Sequence, residues 1–385
     1  TQAVFTRKLR HVPLELDYPY WVDDEYFDLE AHIIHHRLPD PGDWRQFCIH
    51  MARYHSRPLD MHRPLWQMAV VEGLDRVEGL PPGCYAIAIK LHHAAVDGAS
   101  TLRFVSAISD IDPEGTPAAD LDALPPVTPC PDPSLADMGL RAAVANARSP
   151  LKLAGALLKS APRVQQAVFE GIRSRAPKRA VPETRFNASI APHKTFDATD
   201  FDLEEIKRIK RQVEGATVND VILAVVSGAL HRYLSHHGEL PGDSLVAWIP
   251  VNARPGGAGD TSGEGNNISA MTAPIHTEID DPLERLKAIQ TATAQAKNAD
   301  SGIAARLLTD ITREFPSTTQ VMATHLLLRS GMASKVCNLF VSNVAGSPVP
   351  LYMNGAKALK SYGMAPLGDG MGLFIATPSY AGRMY

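Results

Sequence analysis

The run Cys84-Tyr85-Ala86-Ile87-Ala88-Ile89-Lys90-Leu91 is β-branched, aromatic and almost wholly apolar, the pattern of a strand covered on most of both faces. It commits this part of the chain to a layered sheet. The run ends on His92-His93, followed by Ala94-Ala95-Val96-Asp97-Gly98. Side chains alternate between the faces of a strand, so His92 and His93 cannot aim at one reacting atom. One reads as the chemist and the other as a packing or hydrogen-bonding partner. Asp97-Gly98 reads as a tight turn, and Ala99 to Ile108 as a short helix.

A neutral imidazole titrates near neutrality, so it can take a proton from a hydroxyl and return it to a leaving group. Acyl transfer needs this chemistry. The chain has fifteen histidines and two further adjacent pairs. His35-His36-Arg37-Leu38-Pro39-Asp40 matches the His-His-x-x-x-Asp spacing, but Pro39 stiffens its loop, Pro41 replaces the glycine, and polar residues precede it instead of a buried strand. It reads as a decoy. His236-His237 ends a helical pattern before Gly238, a surface C-terminal cap arrangement.

The chain divides visibly. Up to about Ile111 short strands mix with helices, including a helical stretch from Asp43 to His55 and a strand from Gln67 to Glu72. Asp112 to Ser134 is rich in proline, aspartate and alanine and reads as a surface loop. Leu135 to Arg175 is helical in pattern, broken at Pro150 and Pro162. Its Arg141, Arg148, Lys152, Lys159, Arg163, Arg173 and Arg175 face only Asp137 and Glu170. Such a basic amphipathic stretch can lie on an anionic membrane or pack its apolar stripe on its own domains. The second half begins near Phe186, with a strand from Lys194 to Asp200 and a charged helix from Leu203 to Glu214 that turns Ile206 and Ile209 inward. A long apolar helix from Val221 to Ser235 follows, with Thr217 or Asn219 as its cap. Capping accounts for one part of Thr217-Val218-Asn219-Asp220 and leaves another free to line a site. Leu245 to Val251 and Asn267 to Pro274 read as strands around a glycine-rich loop that lacks the order of a nucleotide cradle. Leu283 to Lys297 reads as a helix, and apolar segments follow from Ile303 to Leu308 and Val321 to Gly331. Alternating strands and helices in both halves imply two α/β sandwich domains.

Composition narrows the function. At 385 residues and 45% hydrophobic, the chain can bury sizeable cores in two domains. A net charge of -4 gives no global footprint for nucleic acid. Cys48, Cys84, Cys130 and Cys337 show neither metal spacing nor a disulfide framework, which fits a reducing cytoplasm. No unbroken apolar stretch reaches ~18 residues. A serine hydrolase lacks its Gly-x-Ser-x-Gly elbow, and a zinc enzyme its His-Glu-x-x-His helix.

Further blocks accompany the histidines in order: Arg63-Pro64-Leu65-Trp66, Asn219-Asp220, Ile249-Pro250-Val251-Asn252-Ala253-Arg254, and Phe340-Val341-Ser342-Asn343-Val344-Ala345-Gly346. The ordered set resembles the bacterial wax ester synthase/diacylglycerol acyltransferase family, with Ala345 where that family has proline. The histidine motif alone is shared with CoA-dependent acyltransferases and peptide-synthetase condensation domains. Members of the family continue beyond both Thr1 and Tyr385, so segments are expected to be missing at each end.

The resemblance implies two chloramphenicol-acetyltransferase-like sandwich domains, 1–111 and 186–385, joined by a loop and basic helical connector, 112–185, with a tunnel between them. It implies transfer without a covalent acyl-enzyme, from acyl-CoA as co-substrate to a long-chain alcohol or diacylglycerol, with no cofactor or metal. His93 is the expected general base, His92 its partner, and Asp97 beside Gly98 a brace paired with Arg254. Asn219 and Asp220, then Ser342 and Asn343, are candidate polar groups of the chamber. The expected location is cytoplasmic, peripheral to a membrane or lipid droplet. A condensation or polyketide-associated enzyme using carrier-protein thioesters and a noncatalytic lipid-binding protein are the alternatives.

Overall fold

The computed structural model describes residues 3–95, 104–115, 129–148, 181–252, 268–298 and 335–385. It is a mixed α/β fold with a sheet-and-helix core in each half. In the first half β1 (Arg7–Arg10) and β2 (Tyr20–Asp23) form an antiparallel pair. β3 (Ile33–Arg37), β4 (Trp66–Glu72) and β5 (Ala86–Leu91) form a sheet with β4 central, parallel to β3 and antiparallel to β5. Across it lies α1 (Trp44–Ser56), whose start is fixed by the Asp43 carboxylate accepting the Gln46 N–H at 2.8 Å. Phe47, Met51 and Tyr54 recur at helical spacing and pack on Ala69 and Val71 of β4. Lys90 then ties β5 to the end of α1. Its ammonium donates to the carbonyls of Tyr54 at 2.6 Å and Arg57 at 2.9 Å, where the helix dipole is negative.

β5 is less covered than its composition implies. All six residues are half-buried, because β5 is an edge strand. Ala86 and Ala88 pack toward α1, while Ile87 and Ile89 share the other face with Val70 and Met68, their cross-strand partners. The His35-His36 pair, read above as lying in a loop, sits within β3. An edge strand with one exposed face tolerates that polar alternation. His36 Nδ1 lies 2.8 Å from His50 Nε2 on α1. Residues 104–107 form one helical turn of the helix expected from Ala99, whose beginning lies outside the described residues.

Residues 135–148 form α2, the start of the basic connector. Met138 and Ala142, four apart, are its buried stripe and pack with Val12 and Tyr20, while Leu135, Leu140, Val144 and Arg148 are exposed. The continuation of the connector lies outside the described residues.

The second half is built on a six-stranded sheet in the order β6-β13-β12-β9-β7-β8. Its strands are β6 (Phe201–Asp202), β7 (Val246–Asn252), β8 (Ile268–Pro274), β9 (Leu339–Ala345), β12 (Phe374–Tyr380) and β13 (Arg383–Met384). A small ribbon of β10 (Tyr352–Met353) and β11 (Ala356–Lys357) stands apart. One face of the large sheet is covered by α3 (Leu203–Lys210), α4 (Val218–His236) and α5 (Pro282–Asn298). The core joins Val221, Leu223 and Leu230 of α4 to Ala247, Leu339 and Val341 of the sheet and to Ile289 of α5.

Two expectations fail here. Residues 194–200 form no strand. They are held by side chains: Asp197 accepts the Trp44 indole N–H at 2.8 Å, and Phe196 packs beside Trp44 and Tyr362. Ile209 is exposed while Ile206 is buried, because α3 ends at Lys210 and buries only a narrow stripe. Elsewhere the pattern holds closely. α4 ends at His236, and Gly238 adopts a positive φ of 67° just beyond His237.

Gly346, after β9, explains the glycine that closes its block. A Cβ there would lie 2.2 Å from the Ser379 carbonyl oxygen of β12, far inside contact distance. Gly346→Ala should therefore force these strand ends apart and lower stability by roughly 1–3 kcal/mol, read from the urea midpoint.

Candidate active site

The histidine segment is fixed by the backbone of the neighbouring strand. Beyond Leu91, which pairs with Trp66, the ladder continues one step: the His92 N–H donates to the Leu65 carbonyl at 3.0 Å. The chain then turns, with the Ala95 N–H donating to the His92 carbonyl at 2.9 Å. Leu65 is fully buried, and Trp66 is locked by its indole N–H donating to the Phe5 carbonyl and by stacking on His32. The Pro-Leu-Trp block is thus the support of the histidine segment, a role its sequence did not disclose.

The two imidazoles differ. His92 is half-buried, and its Nδ1 accepts the Ala94 backbone N–H at 3.1 Å, which puts its ring proton on Nε2. Burial, then the neighbouring His93, lowers its pKa below the ordinary value. It is therefore neutral near pH 7 and tied into its own loop. His93 is exposed and lies in the turn that follows β5, beyond Leu91 where the strand ends. Asp97, Gly98 and Arg254 lie outside the described residues, so the expected brace is not located.

At the start of α4 the cap is Thr217. Its N–H and hydroxyl donate to the Asp220 carboxylate, each at 2.7 Å, and the Asp220 N–H returns to the Thr217 hydroxyl at 3.2 Å. The second carboxylate oxygen accepts the Thr293 hydroxyl of α5 at 2.6 Å. Asp220, 1% exposed, is occupied by structural bonds on both oxygens. Asn219 is half-buried in the same first turn and is not the cap. Ser342 and Asn343 are neighbours in β9 and so face opposite ways. Asn343 is exposed on the helix side, in step with Leu339 and Val341, whereas Ser342 lies with Phe340 on the other face, where Trp248 and Phe374 flank that ring. No described hydrogen bond links His92 to Asn219, Asp220, Ser342 or Asn343.

The sequence reading missed a basic cluster where the halves meet. Lys194 Nζ lies 3.2 Å from His55 Nδ1 at the end of α1. His55 is lowered to about 4 by burial, then by Lys194 and Lys90, and Lys90 to about 8 by burial, then by Arg57 and Lys194. The one available signal was Lys90, a charge inside an apolar strand.

Comparison with known proteins decides the family. The sequence model of the wax ester synthase/diacylglycerol acyltransferase catalytic domain matches residues 1–222, and that of the WS/DGAT C-terminal domain residues 264–385. The chain belongs to this family. It is an acyltransferase. Relatives of this wax ester synthase/diacylglycerol acyltransferase chain include a putative diacylglycerol O-acyltransferase of Mycobacterium tuberculosis, 31% identical over 99% of this chain and 73% of the relative. The O-acyltransferase WSD of Acinetobacter baylyi is 32% identical over 95% of this chain and 77% of its own. Among solved structures, the wax ester synthase/diacylglycerol acyltransferase from Marinobacter aquaeolei VT8 matches with a TM-score of 0.66 and 26% identity, covering 99% of this chain and 78% of that one.

Within the family's Asn-Asp block the two residues should separate by stability. Asp220→Ala leaves Thr217 and Thr293 donors without their acceptor and removes the carboxylate half of the capping box, a loss of roughly 2–4 kcal/mol in urea denaturation. Asn219→Ala should stay within about 1 kcal/mol.

Proposed function

We propose that this acyltransferase moves a long-chain acyl group from acyl-CoA directly to the hydroxyl of a fatty alcohol or diacylglycerol, with His93 as general base. The observation that carries the reading is the geometry of the two residues: the Nδ1 lone pair of His92 is taken by the Ala94 N–H of its own loop, while His93 is exposed in the turn beyond the strand. His93 takes the hydroxyl proton as the oxygen attacks the thioester carbonyl. The tetrahedral intermediate collapses, and the CoA thiolate leaves with the proton from His93. No covalent acyl-enzyme forms.

Asp97 and Arg254 brace the loop as a carboxylate-guanidinium pair with two parallel hydrogen bonds, and Asn219 contributes a polar group to the chamber, with Ser342 the better placed of the two β9 candidates. The halves 1–111 and 186–385 flank the tunnel, joined by 112–185. Contacts of Trp44 with Asp197 and Tyr362 support this division, since they join α1 to the second half.

His93→Ala should lower kcat by ~10²–10⁴-fold with an unchanged urea midpoint, and His92→Ala by less, measured as CoA release from palmitoyl-CoA with hexadecanol and, separately, diacylglycerol. A dead His92→Ala beside an active His93→Ala would reverse the roles. Losses from Asp97→Ala and Arg254→Ala that simply add in the double variant would reject the brace.

Lipid substrates require access to a lipid surface, and among the described residues no helix is long and apolar enough to cross a membrane. On this reading the protein works peripherally, at a membrane or lipid droplet. Exposed Leu135, Leu140 and Val144 beside Arg148 on α2 support the connector as the contact. Flotation with liposomes should rise with anionic lipid, fall with salt, and weaken on charge reversal of Arg148, Lys152 and Lys159. Unchanged flotation would move the docking surface elsewhere.

A further inference from the structure

A cavity of roughly 600 Å³ lies between α4, strand β12 and the segments around residues 194–199 and 362–367, within the ~300–1,000 Å³ usual for small-molecule sites. Its walls are largely apolar, among them Val221, Val225, Leu373, Ile375 and Met364. Part of the lining is different in chemistry: Lys194 and His55, in contact with each other, both face the cavity. The lysine can only donate, so His55 Nδ1 accepts from it and the imidazole stays neutral. Among the described residues no carboxylate forms an ion pair with Lys194 or Lys90. The one acidic side chain in the lining, Asp197, is engaged by the Trp44 indole N–H and the Ala198 N–H, both at 2.8 Å. Lys90 is turned to the α1 carbonyls.

A partly buried ammonium with a neutral partner, in the wall of a largely apolar chamber, is complementary to a single negative charge on an alkyl chain. We propose that this cavity binds an unesterified long-chain fatty acid, its chain along α4 and its carboxylate on Lys194. A monoanion fits one ammonium, whereas the polyphosphate of CoA would call for several donors. The inference does not rest on the acyl-transfer reading, since the acid is not a reactant in it.

Equilibrium dialysis of radiolabelled palmitate against the full chain at pH 7.5 tests it. Palmitate should bind saturably, Lys194→Ala should weaken binding at least tenfold, and Lys194→Arg should restore it to within about threefold. Laurate, four methylenes shorter, should bind on the order of 10²-fold more weakly, and hexadecanol should displace palmitate poorly. Val225→Trp, at a half-open helix position, should fill the chamber and abolish binding without touching Lys194; should Lys194→Ala fail to fold, Lys194→Met replaces it. Undiminished palmitate affinity in Lys194→Ala or Lys194→Met, hexadecanol binding as tightly as palmitate, or undiminished binding to Val225→Trp would each overturn the proposal, as would the absence of saturable binding to the wild-type chain.

Discussion

The antiparallel ladder between β4 and β5, carried one bond past the strand by the His92 N–H on the Leu65 carbonyl, is the constraint on which the site depends. A backbone bond to a fully buried residue leaves His92 little freedom, and the turn that begins there carries His93 to the exposed surface. Burial keeps the first ring neutral and its Nδ1 occupied. What distinguishes two chemically identical residues is thus their place beyond the strand end, one still bonded to the neighbouring backbone and the next in the turn, and the family's Pro-Leu-Trp block matters because it supplies the carbonyl and the packing beneath them.

The two halves solve different problems. Among the described residues, the first has a three-stranded sheet with α1 on one face, and its strand β5 is half-buried up to the histidine segment. The second buries a larger core between six strands and three helices and uses Asp220 as a buried rivet between α4 and α5. The segments around residues 194–197 and 362–364 bring the second half onto α1, where apolar side chains and Lys194 line one cavity.

Most of the elements were legible because their signals are local. The alternating and apolar runs gave β4, β5, β7 and β8 within a residue or two, and the Thr217 capping box was foreshadowed by its side-chain types. Tertiary context decided the rest. Residues 194–200 have strand-like composition but no strand to pair with, so they are held by Asp197 and Phe196 through side chains. The His35-His36 pair looks polar enough for a loop yet occupies an edge strand. Of the site, the histidines were legible in the sequence, as was the likeness of the whole ordered set to one family. The assignment of Asp220 to the helix cap was not separable from a chamber role without its bond to Thr293, which lies seventy-three positions away. The Lys194-His55 pairing spans 139 positions and leaves no periodic trace.

Direct transfer is tested most sharply by rapid-quench measurement of CoA release from palmitoyl-CoA, with and without hexadecanol, alongside the label retained on the denatured protein. The account predicts no burst and no protein-bound acyl group when alcohol is absent, and CoA equal to wax ester when it is present. A burst stoichiometric with enzyme, with palmitate covalently attached to the chain, would contradict it.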